Sequence, residues 1–147
     1  TRGMSSAASD VYKRQDALRE RYADAAKVSV FYQVWEEPLM TVNREHLISE
    51  AIQVCGGVNV FADLPTLAPR ISKESVLEKN PQAIVAGGMG EDDPGWLDPW
   101  RQFATLQAVK NDNLFFVSPS TLQRPTPQML TGARTLCRHL DSARARQ

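Results

Sequence analysis

Charge of one sign, long apolar runs, cysteine and histidine are all scarce in this chain, and each scarcity removes a class of function. Seventeen Lys and Arg residues balance seventeen Asp and Glu residues over 147 positions, so no basic footprint marks nucleic acid or an anionic membrane surface as a partner. No apolar run reaches the ~20 residues that a bilayer span requires, so direct membrane insertion is not expected. The only cysteines are Cys55 and Cys137, far apart and outside any CxxC pair, with no histidine at ligand spacing beside them. His46 and Glu50 share a helical face, but two ligands make no metal site. His46 and His139 are expected on the surface at helix ends rather than as general bases. There is no GxSxG elbow for a nucleophilic serine. Gly87-Gly88-Met89-Gly90 lacks the GxGxxG spacing and runs into Glu91-Asp92-Asp93, which would repel a phosphate. No catalytic residue, cofactor or metal is therefore expected, and an α/β enzyme domain is the weakest of the readings considered.

What is present alternates regularly. Residues 1–15 have no apolar period and read as a non-native, adapter-derived segment. Residues 16–26 read as the end of a helix, with Leu18, Tyr22 and Ala25 on one face. Val28–Trp35, rich in β-branched and aromatic residues, predicts a strand. A helix is expected from Arg44 to Cys55, capped by Asn43, with Glu45 in its first turn and Gly56-Gly57 stopping it. Val58–Phe61 is a short apolar piece and Asp63–Arg70, with two prolines, a loop. Ser72 predicts the cap of a short helix carrying Glu74 in its first turn and ending by Pro81. Ala83–Ala86 and Leu114–Val117 predict buried strands on either side of a helix at 96–106. Thr126 with Pro127 predicts the start of a last helix running to about Leu140.

Strands alternating with helices imply an α/β fold whose parallel sheet is covered on both faces. Crossovers of one hand bring the C-terminal ends of all strands to one edge, outside which ligands of open α/β sheets bind. Val34–Pro38, Gly87–Gly95 and Ser118–Arg124 then line the candidate binding edge. An aromatic at Trp35 with amide and guanidinium donors at Gln123 and Arg124 suits a large, partly apolar ligand carrying amides. Composition and spacing leave open whether Trp35 is instead a core residue and Arg124 a surface charge. They likewise leave open whether Cys55 and Cys137 are buried thiols or a disulfide.

Several ordered segments carry a resemblance. They are Val30-Phe-Tyr-Gln-Val-Trp-Glu-Glu-Pro-Leu-Met-Thr41, Ile48-Ser-Glu-Ala-Ile-Gln-Val-Cys-Gly-Gly-Val-Asn-Val-Phe-Ala-Asp63, Leu67-Ala-Pro-Arg-Ile-Ser-Lys-Glu-Ser-Val-Leu77, Asn80-Pro-Gln-Ala-Ile-Val-Ala86, Arg124-Pro-Thr-Pro and Leu136-Cys137. Together, over residues 16–147, they resemble the cobalamin carriers among the periplasmic substrate-binding proteins that feed ABC importers. The resemblance implies two Rossmann-like, three-layer lobes joined by a long helix, with ligand clamped between them. Residues 16–27 would be the end of that helix and residues 28–147 the second, C-terminal lobe, with the first lobe and a signal peptide expected upstream. A siderophore or haem carrier of the same fold is the alternative. Such ligands, often anionic, call for several arginines, whereas only Arg124 is clearly placed at the edge, with Arg70 a further candidate.

The resemblance also assigns roles by position. Val34 stands where the family has an aromatic ligand contact, with Trp35 beside it, and Ala68 stands where another aromatic stacks. In the loop Ser120-Thr121-Leu122-Gln123-Arg124, the arginine matches a ligand contact, while Ser120 replaces an acid and Thr121 an aromatic. Glu74 resembles the glutamate with which this lobe docks on arginines of the inner-membrane permease. Cys55 and Cys137 stand where the family has a disulfide, in keeping with a periplasmic location. The partners implied are a corrinoid and the permease, and the protein itself is expected to be a monomer.

Overall fold

A computed structural model describes residues 17–35, 39–87, 94–117 and 127–145. The expected adapter-derived segment, the Ser120–Arg124 loop, Thr126 and most of the Gly87–Gly95 loop lie outside the described residues.

Four short strands form the centre: β1 (Val28–Gln33), β2 (Gly57–Asn59), β3 (Ala83–Ala86) and β4 (Leu114–Phe116). They pair in the order β2-β1-β3-β4, every pair parallel. The helical elements are α1 (residues 17–21), α2 (Leu47–Val54), α3 (Lys73–Lys79), a 3-10 helix (Pro94–Gln102), α4 (Gln107–Lys110) and α5 (Pro127–Ala145). The α/β class with helices on both faces is as expected.

Side chains of a strand alternate between faces, and β1 distributes two cores accordingly. Val28, Val30 and Tyr32 join Ala83, Val85 and Phe115 beneath α1, α2 and α5. Phe31, Ile84 and Ala86 meet Val76 of α3, Leu97 and Trp100 of the 3-10 helix, and Ala108 of α4 on the other face. There Phe31 takes Phe61 and Trp100 edge-on, each with ring centroids 5.7 Å away.

Four expectations are corrected. The piece at Val58–Phe61 is in part a strand: β2 adds a fourth member to the sheet at its edge. The helix expected from Arg44 starts three residues later, at Leu47. Its cap is His46, whose Nδ1 accepts from the Ile48 N–H at 3.1 Å, and its first-turn acid is Glu50 rather than Glu45. Asn43 instead closes an Asx turn onto the Glu45 N–H (2.9 Å) while donating to the Leu64 carbonyl. The helix expected over 96–106 is a 3-10 helix followed by the separate α4; it holds Pro99, which has no N–H for a ladder. Finally, α5 continues past Leu140 to Ala145, so His139 is not in its last turn. That ring is half-buried and stacks on Phe115 at 4.6 Å. Burial, with Arg138 beside it, lowers its pKa. His46 is likewise half-buried, and burial lowers its pKa.

Cys55 and Cys137 form a disulfide with Cα atoms 4.8 Å apart. Both residues are buried. The bond ties the C-cap of α2 to the middle of α5 across 82 residues of sequence. Arg144, in the last turn of α5, reinforces it. Its guanidinium donates to the Cys55 carbonyl, to the Ala26 carbonyl at 2.6 Å and to Asp141 at 2.7 Å. A loop of this size closed by a disulfide is worth about 4 kcal/mol on the chain-entropy view. Replacing both cysteines by alanine is expected to lower the unfolding free energy by roughly that amount, measured by urea denaturation with and without a reductant. The double variant should no longer respond to reductant.

Candidate binding edge

The strand order sets the site. From β1 the chain crosses to β2 on one side and then returns to β3 on the other, so a topological switch lies between the C-terminal ends of β1 and β3. Open α/β sheets leave a crevice at such a point.

The floor of this edge is held by buried hydrogen bonds. The Tyr32 hydroxyl donates to the Gly87 carbonyl at 2.8 Å, and Trp100 Nε1 donates to Gln33 Oε1 at 2.8 Å. The Gly87 N–H reaches the Gln33 carbonyl at 3.1 Å, and the Val117 N–H reaches Ala86 at 3.0 Å. The last residues of β1, β3 and β4 are thus fixed together. Gly87 has no room for a side chain: a Cβ there would collide with the Tyr32 hydroxyl and come within 2.6 Å of the Val117 carbonyl.

The wall is a small ribbon. Beyond β1, Val34 donates to Met40 at 3.0 Å and Met40 to Trp35 at 3.2 Å. Met40 bridges antiparallel to Trp35 on one side and to Arg70 on the other. Three further backbone bonds, Thr41 to Pro69, Asn43 to Leu67 and Ile71 to Leu39, lace the 64–71 loop to this segment. Trp35 and Ala68 therefore stand on the two outer strips of one rim, with the Met40 strip between them, although they are 33 positions apart in sequence. Val34 and Trp35 are half-buried and Ala68 is exposed. Val34 packs on the core of the α2/α5 face. Leu67, half exposed at 50%, continues the apolar rim beside Ala68.

Ser72 caps α3 by accepting from the Ser75 N–H at 3.1 Å. The bond from Ile71 to Leu39 puts this helix start at the same rim. Glu74, in the first turn, is exposed. Gln123, Arg124 and their neighbours Ser120, Thr121 and Leu122 lie outside the described residues. The disulfide sits behind the sheet in the α2/α5 layer, away from the rim.

The sequence pattern missed Met40 as the central strip of the wall, because nothing in periodicity announces isolated bridges to residues 35 and 70. The segment from Cys55 to Phe61, prominent in the resemblance, is architectural. Gly56 takes a φ of 79°, which favours glycine. Asn59 is buried, donating to the Val42 carbonyl (2.8 Å) and Ser49 (3.1 Å) and accepting from the Phe61 N–H (2.9 Å).

Among the described residues, no group of three or more His, Cys, Asp or Glu side chains is placed to hold a metal ion. No helix among them is long and apolar enough to cross a membrane. A shaped edge with an aromatic, an apolar rim and polar backbone is suited to holding a ligand.

No protein-family model matches the chain. Over 137 residues it is 36% identical to the vitamin B12-binding protein of Vibrio cholerae, a match spanning 93% of this chain and 49% of that protein. The crystal structure of the periplasmic vitamin B12-binding protein of Vibrio cholerae superposes with a TM-score of 0.80, over 92% of this chain and 52% of that one. A periplasmic haem-binding protein from Roseiflexus superposes with a TM-score of 0.77 at 17% identity, over 92% of this chain and 54% of that one; at that identity the likeness shows the fold alone. The chain spans about half the length of the curated relatives it matches.

Replacing Gly87 by alanine is expected to destabilise the fold by about 1–3 kcal/mol, the usual cost of overpacking a filled site. The measurement is the urea midpoint; an unchanged midpoint would mean that the floor of the edge is looser than described.

Proposed function

We propose that this chain, a homologue of the vitamin B12-binding proteins, is the second lobe of a two-lobed carrier that holds a corrinoid and delivers it to an ABC importer. In this reading residues 16–27, which include α1, end the helix between the lobes, and the rim of Trp35, Met40, Leu67 and Ala68 forms one wall of the ligand cleft. The observation that carries it is 36% identity sustained over 93% of the chain to a protein named for binding vitamin B12, joined to an aromatic and apolar rim at the sheet edge. Binding without chemistry follows in this reading, so the protein is not an enzyme. A buried disulfide supports an exported, periplasmic protein, because such bonds persist in oxidising compartments.

The ligand contacts are assigned to Val34, Trp35, Ala68 and the Ser120-Thr121-Leu122-Gln123-Arg124 loop. Trp35 offers an aromatic face to the corrin or its nucleotide base, and Arg124 a donor to the ring amides. Ala68 and Val34 are small where an aromatic would stack, which leaves Trp35 the main apolar anchor. In the two-lobed protein, Trp35→Ala and Arg124→Ala are each expected to weaken cobalamin binding about tenfold, or ~1.4 kcal/mol, with unfolding midpoints unchanged; titration calorimetry reads both. The 147-residue chain alone should bind weakly or not at all, since half of the enclosing surface is absent. Tight binding by the chain alone, or full affinity in both variants, would contradict the assignment.

Glu74 is assigned to permease docking. It is exposed at the start of a capped helix, free to meet an arginine. A partner charge left unpaired in an interface costs ~2–5 kcal/mol. Glu74→Arg is expected to weaken association with the permease while leaving corrinoid affinity intact. Loss of ligand affinity with docking preserved would place Glu74 in the cleft instead.

A further inference from the structure

A second concavity lies in the α1/α5 layer, two turns or more beyond the start of α5. It is a depression of about 190 Å³. Leu18, Tyr22 and Cys137 form its floor, and Arg21, Arg134 and Arg138 its rim. The floor residues are all buried and the three arginines exposed.

Asp141 also lines the depression, but both of its oxygens are engaged. Oδ1 accepts from Arg144 at 2.7 Å and Oδ2 from the Tyr22 hydroxyl at 2.9 Å. Its charge is thus matched by Arg144, which is turned to the Cys55 and Ala26 carbonyls. Among the described residues the three rim arginines have no such match. Arg21 lies over the Tyr22 ring at 5.5 Å, and Arg138 donates to the Thr135 hydroxyl at 3.3 Å. Arg44, Arg101 and Arg144 form ion pairs, and among the described residues Arg21, Arg134 and Arg138 form none. Guanidinium groups present planar forks of donors that fit phosphate and carboxylate oxygens. At about 30 Å³ for each water of liquid, the depression has room for roughly six water volumes, enough for an oxyanion with a small apolar body.

We propose that this depression binds a small organic oxyanion, its phosphate or carboxylate group held by Arg21, Arg134 and Arg138 and its apolar part lying over Leu18, Tyr22 and Cys137. The site is separate from the binding edge and does not depend on the corrinoid assignment.

The test is titration of the disulfide-intact 147-residue chain with phenyl phosphate, followed by the amide shifts of residues 17–22 and 134–141. Inorganic phosphate and benzyl alcohol serve as the two half-ligands. Phenyl phosphate is expected to saturate with a dissociation constant on the order of 1 mM or below. Inorganic phosphate should shift the same amides more weakly, and benzyl alcohol should not shift them. The Arg134→Gln/Arg138→Gln pair should weaken binding at least about tenfold by removing two charge-assisted donors, with the urea midpoint unchanged. Arg101→Gln, on the opposite layer, should bind as the parent does. Three outcomes would overturn the proposal: no local shifts with phenyl phosphate, equal binding by the double variant, or equal binding of benzyl alcohol. Inorganic phosphate binding as tightly as phenyl phosphate would overturn the role of the apolar floor.

Discussion

Parallel pairing in the order β2-β1-β3-β4 is the constraint on which everything else in the molecule depends. It requires each connection to cross a face of the sheet, so both faces acquire helices and β1 and β3 are buried on each side. It also delivers the ends of β1, β3 and β4 to one edge, where the order reverses. The hydrogen bonds from Tyr32 to Gly87 and from Trp100 to Gln33 then hold those ends at fixed separation. The shape of this edge follows from topology first and from particular side chains second.

The two faces are secured differently. Beneath α3 and the 3-10 helix the core is aromatic, with Phe31 between Phe61 and Trp100. Beneath α2 and α5 it is mainly aliphatic, with Tyr22, Tyr32 and Phe115 among its members, and is crosslinked by Cys55–Cys137. Arg144 satisfies the Cys55 carbonyl at the turn after α2, where an unpaired acceptor in a buried residue would cost free energy, and also reaches the exposed Ala26 carbonyl before β1. Corrections to the histidines fit this picture. His46 and His139 serve as a helix cap and a ring stacked on Phe115.

Much of the frame was legible in the sequence because local and global preferences agree there. Val28–Gln33 and Ala83–Ala86 are apolar strands bounded by turn residues, and Ser72 caps α3 with its own hydroxyl. The misses have physical causes. Gly57-Val58-Asn59 is a poor strand by propensity and pairs only because β1 offers it an edge. Asn43 has the chemistry of a helix cap but spends its side chain on Glu45 and Leu64. At the site, the end-of-strand rule led to Val34 and Trp35. The bridges through Met40 that set Trp35 on the same rim as Arg70 join residues distant in sequence, and no local pattern carries that information.

In the proposed reading the chain supplies one wall of a cleft and needs a second to enclose a ligand the size of a corrinoid; the chain spans about half the length of the curated relatives it matches. The central claim is that the ligand is a corrinoid rather than another bulky chelate carried by the same fold. Its most direct test is competition calorimetry on the two-lobed protein with cobalamin, haem and a ferric hydroxamate. The account predicts one saturable site for cobalamin, at least about a hundredfold tighter than for either competitor, or ~2.7 kcal/mol. Preference for haem or the ferric siderophore, or no binding of cobalamin, would contradict it.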